Sequence, residues 1–526
     1  MSGGKEPPKW IVLILMSMAL FIMFIDTTMM NVSISALVED LNTTVTGVQG
    51  AITLYALVLA ATMMVGAKLA DVWGTKKVFF NGLVIYTIGT LMASFSPNLA
   101  FLVLGWSILE GVGGALMMPA TVTYLTKAYT GKDRALAFGV WGGVGGAAAA
   151  FGPIIGGFFT TYYTWRLGFL MEAVISGVIF FYMKDLKDYR PERLLKLDIG
   201  GAILVAMGLF LLTLSVLMID PLGESPVAIL MVLAVIVLWY FSRYEKKKAA
   251  RGEDVLMDVE IFKHRGFTVA NIVSIFFQLS LAGIMFTVPI FVQTSLGYSA
   301  IDTGLVLLPL SIMMFIFSML GGKFQKFMSS KRVIQLGIVI TLLGIYDLTT
   351  VFKPGVTGDD FSLGMALFGT GFGLIFSQIT NLAMSDVDAH QQADASGIFN
   401  SQKQLGLSLG TAMVGAMLIL GMVSGIAMGL HEHGYYTDVP EDQLEDMVID
   451  WVNGMEPVPD IPENDSLAIQ ENADIHAMKV TLEAMMGVLV IAAVLSIWLP
   501  SETGGDALPE EKKKEEKPPK TSKKRK

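Results

Sequence analysis

The 526-residue chain is 53% hydrophobic and only 16% charged, with a mean hydropathy of +0.60, whereas soluble domains carry about 25% charge. That composition excludes a soluble enzyme and a nucleic-acid binder. The lack of any Cys excludes disulfides, thiolate catalysis and zinc–thiolate sites.

A helix crossing about 30 Å of hydrocarbon needs about 20 apolar residues. Fourteen runs meet that rule, at roughly 10–35, 48–68, 78–96, 99–127, 135–160, 166–183, 198–219, 226–242, 267–293, 301–322, 333–352, 360–384, 396–429 and 478–499. The first is too long and uninterrupted for a cleaved signal peptide, and no ten-residue alternation of a membrane β-barrel is visible. The reading is an all-α polytopic membrane protein. With the N-terminus inside, thirty-four of the 37 Lys and Arg fall on the inner side, Lys403 among them, and only Arg166, Lys353 and Lys479 outside. This is the asymmetry of the positive-inside rule, and it makes both termini cytoplasmic.

Acidic residues inside the spans come next in chain order. Asp26 lies about 24 Å from the inner end of span one, Glu110 about 16 Å into span four and Glu172 about 10 Å from the outer end of span six, at 1.5 Å per residue. Asp347 falls in the outer third of span eleven. An intramembrane ion costs several kcal/mol unless paired or wetted, so these four are candidate proton- or substrate-binding residues. A permanently protonated acid bonded to a backbone carbonyl is the alternative for each. In span five, Gly142, Gly143, Gly145, Gly146, Gly152 and Gly156 with Pro153 give a smooth, kinkable face. It serves either a moving seam or static tight packing. Tyr55 and Trp141 offer faces on which a cation can stack.

Towards the C-terminus, residues 431–477 hold thirteen Asp/Glu and no Lys or Arg. Leu444, Met447, Val448, Trp451, Val452 and Met455 recur there at helical spacing. This predicts either a short amphipathic helix on the outer membrane surface or over the mouth of the protein, or a solvated acidic loop. His431 and His433 read as a solvated pair rather than a metal site. The tail 501–526 is rich in Lys, Glu and Pro and is expected to be disordered. No set of nucleophile, base or metal ligands converges, and no phosphate-binding Gly-rich loop with Lys appears. Enzymatic activity, cofactors and ATP drive are therefore not expected.

An internal repeat divides the chain. Residues 66–78, GAKLADVWGTKKV, align without gaps to 321–333, GGKFQKFMSSKRV. The first follows span two and the second span ten, so a six-span unit, two extra spans and a second six-span unit are predicted. Parallel six-span repeats place a substrate site between the halves near the midplane. The units are 1–183, a linker with two spans at 184–266, and 267–500.

These residues resemble the major facilitator superfamily, most closely its fourteen-span drug:proton antiporter branch. Asp26-Thr-Thr-Met-Met-Asn31 is similar to the branch's first-span motif. Asp71, Gly74, Lys76 and Lys77 resemble the superfamily's loop 2–3 motif, and Gly152-Pro153-Ile-Ile-Gly156-Gly157 the antiporter motif. Gln293 with Gly297-Tyr298, and Ala395-Ser-Gly397 with Asn400 and Lys403-Gln-Leu-Gly406, fall where the branch has them. The chain departs from it in span four, with Ser107 and Glu110 where the branch carries Arg and Gln. The resemblance implies the major-facilitator fold and proton-driven export of lipophilic compounds, expected to be cationic. It implies Asn31 and Gln293 as pathway residues. It further implies Asp71, Gly74, Lys76, Arg134, Gly152, Pro153, Gly156 and Gly157 as the latch and seam of alternating access. Partners are then a small-molecule substrate, protons and the bilayer of the cell membrane. Export of an endogenous metabolite, amino-acid derivative or lipid keeps the same fold. A non-transporting membrane sensor or scaffold, bound through 431–477, is the rival from another class.

Overall fold

The computed structural model describes residues 9–129, 131–189, 197–217, 227–324, 327–385, 387, 392–452 and 461–501, and all their regular elements are helical. Helix α1 (Lys9–Met29) turns through Met30–Val32 into the short α2 (Ile34–Asp40), followed by α3 (Val45–Trp73) and α4 (Thr75–Ser94). Helix α5 (Leu99–Leu102) runs through a π-helical stretch, Val103–Glu110, into α6 (Gly111–Ala128). Next come α7 (Gly131–Tyr162), α8 (Arg166–Tyr182), α9 (Ile199–Leu217) and α10 (Val227–Ala249). The rest are α11 (Arg265–Thr294), α12 (Ala300–Phe324), α13 (Ser330–Val351), α14 (Ser362–Ser385), α15 (Gln392–Glu432), α16 (Glu441–Val452) and α17 (Glu463–Ser496). Among the described residues thirteen stretches are long and apolar enough to cross a membrane, counting α5 to α6 as one. The 32-residue α7 is a further long helix where span five was expected.

Local chemistry sets the breaks. The side chain of Thr44 accepts the N–H of Gly47 to start α3, and that of Asn98 accepts the N–H of Phe101 to start α5, satisfying orphan donors of the first turn. Gly74, at φ 95°, separates α3 from α4 in a conformation that residues with a Cβ rarely adopt. Thr75 and Lys76 then dock onto the chain leaving α8. The N–H of Thr75 donates to the Tyr189 carbonyl at 3.0 Å, and Lys76 Nζ donates to the carbonyls of Lys184 at 2.7 Å and Leu186 at 2.6 Å. The ammonium thus clamps backbone. The side chains of Asp71 and Arg134, its expected companions, lie outside the described residues.

Packing partners recur along the chain. Helices α3 and α4 pack on α6 as α12 and α13 pack on α14. Helix α1 packs on α7 and α8 as α11 packs on α15 and α17, and α4 on α8 as α13 on α17. Helices α9 and α10 pair with each other, and α9 touches α3 and α15.

The two sets of helices meet along two seams, α3–α15 and α7–α12. The first is zipped by side chains donating to backbone carbonyls across it: Gln49 to Thr411, Ser408 to Thr53 at 2.9 Å, and Ser401 to Ala60. The second closes at the end carrying Trp165. There a Cβ on Gly157 would sit 2.5 Å from the Ala300 carbonyl oxygen, and one on Gly304 would sit 2.6 Å from that of Pro153. Thr161 Oγ1 also accepts the Ile301 N–H at 3.0 Å. Farther from that end, Gly142 and Gly143 face open space. The α7–α12 seam is therefore tight at the Trp165 end.

The acidic segment departs from a helix lying on the membrane. Leu444, Val448 and Trp451 of α16 are buried against Val423, Ala427 and Leu430 of α15 and Ile469 of α17. At 41 residues, α15 runs about 61 Å, twice a hydrocarbon core. Its C-terminal part, with the start of α17, supplies an apolar surface for α16. Within this cap the His431 ring bonds the carbonyls of Tyr436 and Val439, both at 3.0 Å. Hydrogen bonding of the Tyr435 hydroxyl to Asp465 at 2.7 Å pushes the phenol above its ordinary pKa.

Candidate functional site: a cavity with carboxyls behind its wall

A cavity of about 1220 Å³, its open mouth included, lies between the two sets of helices. From the first set it is lined by Met23, Phe24, Thr27 and Thr28 of α1, Asn31, Ile52 and Tyr55 of α3, and Trp106. From the second come Met285 and Phe286 of α11, Met314 of α12, Phe372 and Phe376 of α14, and a stripe on α15. The stripe is Asn400, Lys403, Gln404, Leu407 and Thr411, the three-and-four spacing of one helix face. Met and aromatic side chains dominate, giving a polarizable wall that repacks readily.

Asp26, Glu110 and Glu172 come together, although they sit 84 and 62 residues apart in the chain. One carboxylate oxygen from each lies within 4.8 Å of the others. None lines the cavity, and all three residues are 0% exposed. The three acids form a cluster one side-chain layer behind the cavity. The intervening layer is aromatic. Trp106 Nε1 donates to Asp26 Oδ2 at 2.8 Å, and its ring stacks on Tyr55 with centroids 5.8 Å apart. The Tyr86 hydroxyl donates to Glu172 Oε2 at 2.9 Å from the far side. Asp26 Oδ1, both Glu110 oxygens and Glu172 Oε1 meet no donor. No described Lys, Arg or His pairs with any of the three.

The local sequence explains the assembly. Glu110 ends the π-helical stretch, whose Gly105 packs face to face with Gly89 of α4: a Cβ on Gly105 would lie 2.9 Å from the Gly89 carbonyl oxygen. Side chains there would hold α4 away, and Tyr86 and Thr90 of α4 could not reach α8. The wider π turn buries Trp106, Ser107 and Glu110 together, and π-bulges of this kind recur at functional sites. Ser107 donates to the Ala51 carbonyl at 2.8 Å, joining this stretch to α3.

The remaining expected residues spread out. Asn31 lines the cavity. Gln293 does not: its Nε2 donates to the Val32 carbonyl at 3.0 Å and its Oε1 accepts from Ser35 N at 3.3 Å, tying α11 to the α1–α2 corner. Asp347 is corrected as well. It stands on α13, half-buried beside Gly364 of α14 and apart from both cavity and cluster, because its helix packs at the periphery on α14 and α17. Gly152 lies against Thr28, Gly156 against Met29, and Gly157 against Ala300. Arg166 pairs with Asp40 and reaches the Ser96 carbonyl, so it serves none of the membrane acids.

Sequence reasoning missed three things. Trp106, one turn before Glu110, shields the acids. Tyr86 caps the cluster through a contact no motif announces. Lys403, counted on the inner side, lies inside the cavity. Its Nζ sits 4.9 Å from the Phe376 ring centre and 4.8 Å from that of Phe399, and donates to Thr380 Oγ1 at 3.2 Å. The position of Lys403 on the α15 stripe with Asn400 and Leu407 was the available signal.

Known proteins bear on this arrangement. The model of the Major Facilitator Superfamily matches residues 16–192 and 200–411. Multidrug resistance protein Stp of Mycobacterium tuberculosis (strain CDC 1551 / Oshkosh) is 25% identical over 513 residues, covering 95% of this chain and 94% of that protein. The tetracenomycin C resistance and export protein of Streptomyces glaucescens is 26% identical, covering 79% of this chain and 77% of that one. The crystal structure of a bacterial homolog to the human lysosomal transporter Spinster superposes with a TM-score of 0.61 at 16% identity, covering 95% of this chain and 98% of that one.

Proposed function

The chain belongs to the Major Facilitator Superfamily, hence is a multi-pass membrane transporter of small molecules and not an enzyme, and from that premise we propose a proton-coupled antiporter of the fourteen-span branch that exports lipophilic compounds by alternating access. The observation that carries the reading is the buried trio of Asp26, Glu110 and Glu172, with oxygens within 4.8 Å and no cationic partner among the described residues. Like charges at that distance in a low-dielectric interior repel by several kcal/mol. Protonation of members of the trio relieves that repulsion. The proposed halves are 1–183 and 267–500, with α9 and α10 inserted between them and both termini cytoplasmic.

Coupling runs through the aromatic wall. The indole N–H of Trp106 donates to Asp26 while its ring faces the cavity. A hydrogen bond to an ionised acceptor is roughly twice as strong as one to a neutral acceptor. Proton arrival at Asp26 therefore loosens Trp106, and proton loss holds it. A lipophilic cargo packed on Trp106 and Tyr55 feels that change without touching a carboxylate. The close glycine contacts near Trp165 would serve as the closed gate of the cycle. The resemblance implies a cationic cargo, but the described residues lining the cavity include no carboxylate to meet one.

The test is flux in proteoliposomes under an imposed pH gradient, with one panel of lipophilic drugs and one of metabolites. Uptake of drugs that stops when the gradient is collapsed is the expected result, with Glu110→Gln expressed normally but uncoupled. Flux indifferent to the gradient would remove the proton, and flux of metabolites alone would change the cargo.

A further inference from the structure

We propose that Lys403 makes the cavity a receptor for organic anions, so that the cargo is an amphiphile with an aromatic or alkyl body and one acidic group. The inference deepens the reading above and rests on it for the cavity's role. Among the described residues lining the cavity, Lys403 is the single formal charge, and no Asp or Glu joins it. The carboxyls that suggested a cationic cargo are shut behind Trp106 and Tyr55. The sign of charge a substrate meets is therefore positive.

The ammonium is held for the task. Phe376 and Phe399 flank it at 4.9 and 4.8 Å and supply cation–π attraction without neutralising it. Thr380 takes one of its three N–H donors. Among the described residues no carboxylate pairs with it, and a cation left uncompensated among apolar side chains is costly. An anion entering the cavity provides the missing counter-charge, while the Met and Phe walls receive the body. Gln404, next on α15, lines the same wall.

The experiment uses two dyes built on one xanthene skeleton, the anionic fluorescein and the cationic rhodamine 123, bound to the purified full chain in phosphatidylcholine nanodiscs at pH 7 with no gradient. Wild-type protein is expected to prefer fluorescein. Lys403→Gln should weaken fluorescein about tenfold or more, the size of one desolvated charge contact. It should leave rhodamine within about twofold. Lys403→Arg should restore the anion, and Lys403→Glu should invert the preference. Adding phosphatidylglycerol separates sources of the anion. Competition with fluorescein in wild type but not in Lys403→Gln assigns the site to a lipid headgroup, and no competition assigns it to free amphiphiles. No preference in wild type, or a preference untouched by Lys403→Glu in protein of wild-type thermal stability, overturns the proposal. Because no gradient is applied, failure here leaves proton coupling standing, and loss of coupling in proteoliposomes leaves the dye result standing.

Discussion

Helices α1 to α8 and α11 to α17 share a packing plan but not a chemistry. Where the first set buries Asp26, Glu110 and Glu172 under Trp106 and Tyr86, the second fills its interior with phenylalanine. Phe277 stacks on Phe372 with centroids 3.9 Å apart, and Phe291, Phe352 and Phe361 form an edge-on cluster. Its buried charge is of opposite sign and stands in the cavity, at Lys403. On the proposed reading a duplicated scaffold divides its labour: one set of helices would hold protons in a buried acidic cluster, and the other would offer apolar bulk and a cation to the cargo. The teaching is that pseudo-symmetry of backbone does not carry over to side chains. Mutations on the two sides should then fail in different ways.

Asp26→Asn should break the comparison most severely. It is expected to bring pH-driven flux to the level of empty liposomes while expression holds, since no acceptor of the same charge remains for the Trp106 indole; residual coupling above background would move the proton elsewhere in the trio. Trp106→Phe keeps an aromatic face but removes the indole N–H together with part of the buried ring volume. It should lower coupled flux about tenfold, equal to about 1.4 kcal/mol, within the range of one hydrogen bond to a charged group. Dye binding should persist. Gly157→Val places branched carbons against the Ala300 carbonyl and should hold the Trp165 end open. Slower flux with greater protease access at that end is the readout. On the other side, Phe361→Ala should cost about 3–5 kcal/mol of packing, seen as a lower thermal midpoint. The proton-to-cargo ratio should not change, and a changed ratio would erase the division of labour.

The smallest effect belongs to a region outside both sets. Burial pushes the Asp198 carboxyl up, but the Gly201 N–H and the Lys248 ammonium at 2.9 Å outweigh it and hold the group below the usual carboxylate range. The tie to α10 is therefore present above about pH 4 and is lost as pH falls through the depressed value. Asp198→Asn should lower the thermal midpoint slightly at neutral pH and bring no further change on acidification.

Length and hydropathy sufficed for the helices, because a bilayer imposes one rule on every span. The repeat at 66–78 and 321–333 marked equivalent turns, and packing partners on the two sides match it. Depth along each span placed Asp26, Glu110 and Glu172 in the membrane, yet not together. Their meeting depends on which way each helix faces, and the π-helical stretch that turns Glu110 inward has no hydropathy signature. Asp347 looked equivalent by depth alone, but its helix lies at the periphery. Lys403 was miscounted because a lysine near a span end is ordinarily drawn to water, and here two phenyl rings and a threonine hydroxyl hold it within.

Helix α15 carries Lys403 about three turns after its start and continues unbroken to the cap formed with α16. A tilt of about 5° over its length of about 61 Å displaces the far end by about 5 Å. An antibody fragment or spin label on α16 would therefore act as a pointer on a long lever, reporting rearrangements around the ammonium from outside the cavity lining.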